Sequence, residues 1–287
     1  MSGRDSRPQV VVVADRAALA RTAAQQLVAA LGEAIDRRGE AHLALTGGST
    51  ALPLYEELAA GWRDALDWQR VHLWWGDERL VPADHPESNA GLAYAALLGY
   101  ARRAAESGSG GQGTDIAAGD VPGLPVPAEN VHPWAVDEAL AETEPGPLVA
   151  QAYAEELARY LPAGAAGLPG FDVILLGVGP DGHVLSVFPG SPALAGDAPL
   201  ALAVPAPQHV EPHIPRLTIN PRLITAAQGV IVMVAGAAKA DIVARILESD
   251  AAPADLPARL AVAPNATWLL DQAAGARTRS TTAGRQA

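Results

Sequence analysis

Residues 171–190 read FDVILLGVGPDGHVLSVFPG and join an apolar run to a glycine-rich turn. The run FDVILL is continuously apolar, which is typical of a strand that is buried on both faces of a parallel sheet. The turn that follows fits the spacing G-x-G-x-x-G, which in dinucleotide-binding proteins connects a strand to a helix. Ligands in such sheets gather beyond the carboxyl ends of the strands, so this stretch predicts both a sheet and the place of its site.

The context of the turn argues against a dinucleotide site. Such a site needs a long helix directly after the third glycine, and Pro189-Gly190 ends any helix there. It also needs an acid that closes the next strand, whereas the next apolar stretch, ALAVPA, ends without one. We therefore interpret the turn as a loop that presents Asp181 and His183 to the crevice. His183 is suited to take a proton from water near neutral pH, and Asp181 either orients the ring or caps the turn.

Strand and helix patterns alternate along the rest of the chain. The predicted strands include QVVVVAD, AHLAL, RVHLWW, FDVILLG and GVIVMVAG, with weaker ones in ALAVPA and RLTIN, and the predicted helices include 16–37, ALPLYEELAAG, 147–160 and AAKADIVARILES. Continuous apolar strands separated by helices indicate an α/β fold with a mainly parallel sheet that is covered on both faces.

Composition excludes several classes of protein. The net charge of −12 argues against nucleic acid as the main partner. The chain has no cysteine, which excludes disulfides and cysteine-ligated metals. No apolar run approaches the roughly 18 residues that a membrane helix needs, and the N-terminus has no apolar signal region. We expect a cytoplasmic protein without a membrane partner, either monomeric or weakly homo-oligomeric.

A second glycine-containing turn lies in LALTGGSTALPLY. Gly47 and Gly48 can bring backbone N–H groups close to an anion, and Ser49 and Thr50 add hydroxyl donors. An ordinary turn with a Ser or Thr cap also fits. No Gly-Lys-Ser/Thr follows, so the turn is not a nucleoside-triphosphate loop.

Charged residues accompany three other predicted strands. LWWGDERLVP places Asp77 and Arg79 just past a strand, where Arg79 can clamp a phosphate or carboxylate, although a solvated ion-pair cluster is equally typical. Arg216 stands before an apolar segment and is a weak signal alone. Lys239, the only lysine, opens a helix, where the positive helix end disfavours a cation. A bound anion would explain its place, and a side chain that simply extends into solvent fits equally well.

The other histidines carry weaker signals. His42, His72 and His132 lie within strand patterns and are predicted to be structural. His85 and His209 are predicted to be surface residues.

Together these motifs resemble the 6-phosphogluconolactonases. The matching segments, in family order, are LTGGST, WWGDERLVPADHPESN, NVHPW, GVGPDGHVLSVFPG and PRLTINPRLITAAQGVIVMVAGAAKADIV, and they span most of residues 41–245. The chain departs from the family at Val184 and Leu185, where small polar residues or alanine are usual, and in a longer insertion at 104–129.

The resemblance implies a single Rossmann-like domain that hydrolyses 6-phospho-D-glucono-1,5-lactone to 6-phospho-D-gluconate, in the oxidative pentose phosphate pathway, without metal or cofactor. His183 would be the general base, with Asp181 beside it. Substrate and phosphate binding would fall to the following residues: Gly47, Gly48, Ser49, Thr50, Asp77, Arg79, Arg216 and Lys239. We expect the domain to cover 1–270, with a flexible insertion at 104–129 and a loose tail at 271–287.

Two other functions stay open. Glucosamine-6-phosphate deaminases resemble the chain in their sheet and D-G-H loop, but they place a carboxylate in the segment after the histidine, where this chain has Phe188. They also have a tyrosine where this chain has Arg79. A non-catalytic sugar-phosphate sensor is the second alternative, and the intact Asp181 and His183 argue against it.

Overall fold

The computed structural model describes residues 7–100 and 122–279. The strands are β1 (Gln9–Val13), β2 (Ala41–Leu45), β3 (Val71–Trp75), β4 (Asp77–Arg79), β5 (Val131–His132), β6 (Val173–Leu176), β7 (Ala201–Val204), β8 (Arg216–Ile219), β9 (Gly229–Val234) and β10 (Ala266–Asp271). The helices are α1 (Arg16–Arg38), α2 (Ala51–Gly61), α3 (Asn89–Ala96), α4 (Val136–Ala139), α5 (Pro145–Tyr160), α6 (Arg222–Ala226) and α7 (Ala240–Glu248).

Seven strands form one sheet in the order β1-β10-β9-β6-β2-β3-β5, and every neighbouring pair is parallel. All residues of β2 and β6 are buried, which explains why these strands are continuously apolar rather than alternating. The predicted α/β fold with a mainly parallel sheet is confirmed. No helix of the described ranges is long and apolar enough to cross a membrane.

The longest helix, α1, begins and ends where its sequence allows. The Asp15 side chain caps its first turn by accepting from the N–H of Ala18 at 2.8 Å. Gly39 ends it with a φ of 91°, a conformation that glycine adopts without strain. The helix buries Leu19, Leu27 and Leu31 against the parallel sheet. This packing fixes one face of the sheet and leaves its strand ends open.

Three strands form a second, antiparallel sheet in the order β4-β8-β7. The sequence predicted β7 and β8 and interpreted residues 77–79 as a turn, whereas they form a short strand. The residue before them, Gly76, explains the difference. Its N–H donates to Leu45 O of the parallel sheet, and its carbonyl accepts from Ile219 N of the antiparallel sheet, both at 2.9 Å. The chain therefore passes from one sheet to the other at a single residue.

The predicted insertion at 104–129 lies partly outside the described residues, which resume at residue 122. Leu124 and Val126 are buried, and the N–H of Leu124 donates to Leu97 O at 2.9 Å. The last part of the insertion thus packs on the end of α3. In the predicted tail, 271–287, Asp271 belongs to β10 and Ala274 is fully buried, and residues 280–287 lie outside the described ranges.

Candidate active site

The predicted site residues gather at one edge of the parallel sheet. The strands β9, β6, β2 and β3 are neighbours in the sheet, and all run in the same direction. The segments that follow them carry, in that order, Lys239, the Asp181–His183 turn, residues 47–50 and the strand β4. Because parallel strands end at the same edge, four distant parts of the chain meet around one crevice.

The turn after β6 is shaped to hold the ring of His183. The N–H of Gly179 donates to His183 O at 2.9 Å, so the turn closes on itself. A Cβ at Gly179 would lie 2.0 Å from Nδ1 of His183, and Gly182 has a φ of 86°. One glycine therefore makes room for the imidazole and the other permits the left-handed turn. These are the physical reasons for the glycine pattern, and neither involves a dinucleotide.

Asp181 and His183 form a close pair. The Nδ1 atom of His183 lies 2.6 Å from Oδ1 of Asp181, and the same oxygen accepts from the His183 N–H at 3.1 Å. Both side chains are nearly buried, with 19% and 16% of their surfaces exposed. With the proton on Nδ1, the Nε2 lone pair is a proton acceptor, and within the described residues no group hydrogen-bonds to it.

The second oxygen of Asp181 also has a histidine partner. His209 Nε2 lies 2.8 Å from Oδ2 of Asp181. Burial of the carboxyl group opposes its ionisation, but the hydrogen bonds and charge of His183, with the hydrogen bond of His209, outweigh burial and lower the pKa of Asp181 well below its usual value. Asp181 is therefore a carboxylate at neutral pH, and it only accepts hydrogen bonds. His209 is half-exposed, as predicted, but it also contacts the site, which the sequence did not indicate.

Lys239 lies beside the same turn. It occupies the N-cap position of α7, as the sequence predicted, and its Nζ donates to Val178 O at 2.8 Å. Burial lowers the pKa of Lys239, and the negative charge of Asp181 partly opposes this shift. The single lysine of the chain is thus a half-buried cation next to the Asp181–His183 pair.

Two arginines lie opposite each other on the antiparallel sheet. Arg79 of β4 and Arg216 of β8 are register partners, an arrangement that is unfavourable for like charges unless negative charge compensates it. Arg216 is 5% exposed, and burial together with the charge of Arg79 lowers its pKa. Its Nε and Nη2 atoms donate to the carbonyls of Ile214 and Pro212 at 3.1 and 2.9 Å.

Arg79 is only partly paired. Its Nη1 atom donates to the Glu87 carboxylate at 3.2 Å and to the Glu87 carbonyl. Its Nε atom is buried and has no hydrogen-bond partner within the described residues. A buried, unpaired donor is costly, so this guanidinium is suited to receive an acceptor from a ligand.

Asp77 connects the turns around the crevice. Its Oδ2 atom accepts from Ser186 Oγ at 2.7 Å, and its carbonyl accepts from Asn89 Nδ2 at 2.9 Å. The side-chain amide of Asn89 packs directly against Gly47, since a Cβ on that glycine would lie 1.8 Å from Asn89 Oδ1. Asp77 therefore joins the turns after β2 and β6 through two side chains, and its carboxylate is used within the protein.

Glu78, between Asp77 and Arg79, faces away from this network. It accepts from the N–H groups of Asn89 and Ala90, at 2.8 and 2.7 Å, and so caps α3 together with Ser88. Burial raises the pKa of Glu78 to about 7.

Within residues 7–100 and 122–279, no group accepts a hydrogen bond from the side chains of Ser49 and Thr50. Gly48 has a φ of 84°, and Ser49 is exposed. Thr50 occupies the N-cap position of α2, but its side chain makes no capping hydrogen bond. The alternative of a side-chain-capped turn therefore does not hold. The hydroxyls and the positive end of α2 are available to an anion in the crevice.

The sequence missed Ser186, Asn89 and His209. Ser186 and Asn89 lie inside the motifs GVGPDGHVLSVFPG and WWGDERLVPADHPESN, so their position was a signal that we did not use. His209 lies in no motif, and only the fold brings it to Asp181.

Comparison with known proteins places the chain among phosphosugar enzymes. The family model described as glucosamine-6-phosphate isomerases/6-phosphogluconolactonase matches residues 14–270. The 6-phosphogluconolactonase of Synechocystis sp. is 37% identical over 93% of this chain and 97% of its own length. That of Streptomyces coelicolor is 36% identical over 94% of each chain.

Solved structures show the same similarity. The 6-phosphogluconolactonase from Trypanosoma brucei superposes with a TM-score of 0.78 at 28% identity, covering 95% of this chain and 99% of its own. The residues that the family model matches include every predicted site residue from Gly47 to Lys239.

Proposed function

Because the chain belongs to the family of glucosamine-6-phosphate isomerases and 6-phosphogluconolactonases, we propose that it hydrolyses 6-phospho-D-glucono-1,5-lactone to 6-phospho-D-gluconate, in the oxidative pentose phosphate pathway. The observation that carries the proposal is the 2.6 Å contact between Asp181 and His183, next to Lys239 and at the edge of the parallel sheet, with Arg79 and Arg216 on the adjoining antiparallel sheet. We also propose that the enzyme is cytoplasmic, needs no metal and is monomeric or weakly oligomeric.

The pair can perform the reaction as general base and general acid. His183 Nε2 takes a proton from water, and the resulting hydroxide oxygen attacks C1 of the lactone. Asp181 keeps the other proton on Nδ1 and stabilises the imidazolium that forms. When the tetrahedral intermediate collapses, the ring oxygen leaves C1 and takes the proton back from Nε2. Proton and bond changes balance without a covalent enzyme intermediate.

Positive charge around the crevice matches the charges of this substrate. A phosphate dianion needs cations and N–H groups, and the carbonyl oxygen becomes an oxyanion during attack. Arg79, Arg216 and Lys239 supply charge, and the first turn of α2 supplies N–H groups. Asp77 serves as the framework that keeps these parts together, since its carboxylate bonds to Ser186.

The deaminase alternative is disfavoured by what surrounds His183. The ring of Phe188 packs 4.6 Å from that of His183, in the segment where deaminases place a carboxylate. An apolar ring there cannot assist the ring opening that a deaminase requires.

The decisive experiment generates the lactone in situ from glucose 6-phosphate and detects 6-phosphogluconate with its dehydrogenase. Spontaneous hydrolysis is subtracted with a no-enzyme control, and EDTA is present throughout. We expect turnover well above the background. Release of ammonia from glucosamine 6-phosphate would instead support the deaminase. Binding of 6-phosphogluconate without turnover would support the sensor, and activity restored only by added zinc would overturn the metal-free mechanism.

A further inference from the structure

His209 lies on a segment with few attachments to the rest of the protein. The β7–β8 segment (residues 205–215) contains four prolines and is mostly exposed or half-buried. Gln208 bonds only to Ala206 O within the segment, and His213 contacts only Glu211. Among the described residues, His209 is the only residue of this segment whose side chain hydrogen-bonds outside it, and its partner is Asp181.

We propose that His209 is a positioning residue for the Asp181–His183 pair, a role that rests on the proposed lactonase function. Asp181 is ionised and only accepts, so the His209 ring must donate its Nε2–H to Oδ2. With His183 on Oδ1 and His209 on Oδ2, both oxygens of the carboxylate have donors. The carboxylate plane is then fixed, which keeps Oδ1 in line with Nδ1 of His183.

An aromatic contact supports the same arrangement. The ring of Phe188 packs 4.6 Å from His183 and meets His209 edge to face, at 5.9 Å and 82°. Phe188 thus lies against both imidazoles while both bind Asp181. The three rings enclose the carboxylate, which is only 16% exposed although it lies on a surface turn.

The β7–β8 segment also reaches a cation of the site. Its carbonyls at Pro212 and Ile214 accept from the Arg216 guanidinium. The same segment thus contacts Asp181 through His209 and Arg216 through its carbonyls, so it links the position of Arg216 to that of the Asp181–His183 pair. Loss of His209 should release the carboxylate first, because Arg216 keeps its contacts within the segment and β8.

The test compares His209→Ala with His209→Gln, and uses Gln208→Ala as the matched control. Glutamine places an amide N–H near the position of Nε2, so it restores the donor without a titrating ring. We expect kcat to fall about 3- to 10-fold in His209→Ala, consistent with the loss of one hydrogen bond to a partly exposed charge. His209→Gln should stay within about twofold of the wild type, and Gln208→Ala should be unchanged.

The pH profile separates positioning from a merely structural role. A carboxylate that has lost one donor holds the proton of the Asp181–His183 pair more tightly, so the acid limb of kcat/KM should move to higher pH in His209→Ala. It should return toward the wild-type position in His209→Gln. An unchanged limb in His209→Ala, or the same kcat loss in Gln208→Ala, would overturn the proposal.

Hydrogen exchange gives a readout that does not depend on turnover. Peptides that cover the β7–β8 segment should exchange faster in His209→Ala than in Gln208→Ala. If the two variants show this difference but the wild type has no lactonase activity, the proposed function fails while the attachment stands. If the wild type is active and the two variants behave alike in kinetics and exchange, the positioning role fails and the proposed function stands.

Discussion

The chain contains two groups of histidines that differ in their place in the fold and in their hydrogen-bond partners. The first, which we term the histidine stack, consists of His42, His72 and His132 on the neighbouring strands β2, β3 and β5. Their rings follow one another at 4.8 and 5.3 Å, and their side chains are 1%, 13% and 4% exposed. The second is the pair of His183 and His209 around Asp181, on turns at the edge of the sheet.

Their protonation behaviour differs in the same way. Burial, helped by the charge of His72, lowers the pKa of His42 to about 4, although Glu40 and Asp172 oppose the shift. His42 is therefore neutral near pH 7. The ring nitrogens of the stack serve as fixed partners, such as His72 Nδ1 and His132 Nε2, which lie 3.0 Å apart. Around Asp181 the charge is instead retained on the carboxylate. Burial and partners, rather than residue type, decide which histidines can exchange protons during a reaction.

The strongest test of this contrast is His183→Ala. If His183 is the general base, kcat should fall by about 10²- to 10⁴-fold while the melting temperature stays near that of the wild type. The matched change in the stack, His72→Asn, should keep kcat within about threefold, since its asparagine can still pair near Nδ1. Comparable turnover losses in the two variants would break the distinction between the groups.

Asp181→Asn should come next in size. An asparagine amide can donate to Nδ1 of His183, which moves the ring proton to Nε2 and removes the base. We expect kcat to fall by about 10²- to 10³-fold with little change in unfolding temperature. Wild-type turnover in this variant would mean that Asp181 does not set the tautomer of His183.

His42 makes a contribution to stability that rises with pH, opposite in sign to that of Glu78, whose raised pKa destabilises the fold as the pH rises. His42 is protonated below about pH 6.5 in the unfolded chain and only below about pH 4 in the folded chain. Between these pH values, unfolding is therefore accompanied by uptake of a proton at His42. Neutral His42 makes its full contribution to the free energy of unfolding above pH 6.5. As the pH falls toward 4 this contribution, on the order of 3 kcal/mol, is lost. His42→Asn keeps an acceptor for Trp74 Nε1 and should flatten this part of the curve.

The measurement is urea unfolding of both proteins between pH 7 and 4. The exposed His213→Asn serves as the control and should leave the slope unchanged. An identical slope in wild type and His42→Asn would show that other groups cause the acid sensitivity.

The smallest effect concerns Lys239. If Lys239 binds the phosphate, it binds substrate and transition state alike, so Lys239→Arg should raise KM by about 3- to 10-fold and change kcat less. Lys239 is the only lysine in the chain, so the activity of the fully acylated protein gives an independent check on the role of Lys239. A fall in kcat at constant KM would instead indicate that Lys239 stabilises the oxyanion and does not bind the phosphate.

Prediction from the sequence succeeded where one segment carries its own pattern. The buried strands are continuously apolar, and the turn at 177–183 directly follows one of them. Both the edge of the sheet and the Asp181–His183 pair could therefore be predicted from the sequence. It failed where a partner is needed. The three residues of β4 are too few to show a period, and they form a strand only because β8 lies beside them. His209 contacts Asp181 across 28 positions of a proline-rich connection, which no local pattern reports.

Gly76 has a consequence for how such an enzyme can diversify. Its N–H belongs to the parallel sheet and its carbonyl to the antiparallel one, so the Asp181–His183 pair and the two arginines are built on different sheets. Gly76 joins these sheets through the backbone, and Asp77 and His209 join them through their side chains. If the arginines bind the substrate anion, substitutions in β7 and β8 can alter which anion is recognised while the Asp181–His183 pair is inherited unchanged. Descendants of this architecture can reach new phosphorylated substrates by changing one sheet at a time. A larger residue at position 76 would then require the Leu185 side chain to move as well, because a Cβ there would lie 2.6 Å from Leu185 Cδ2.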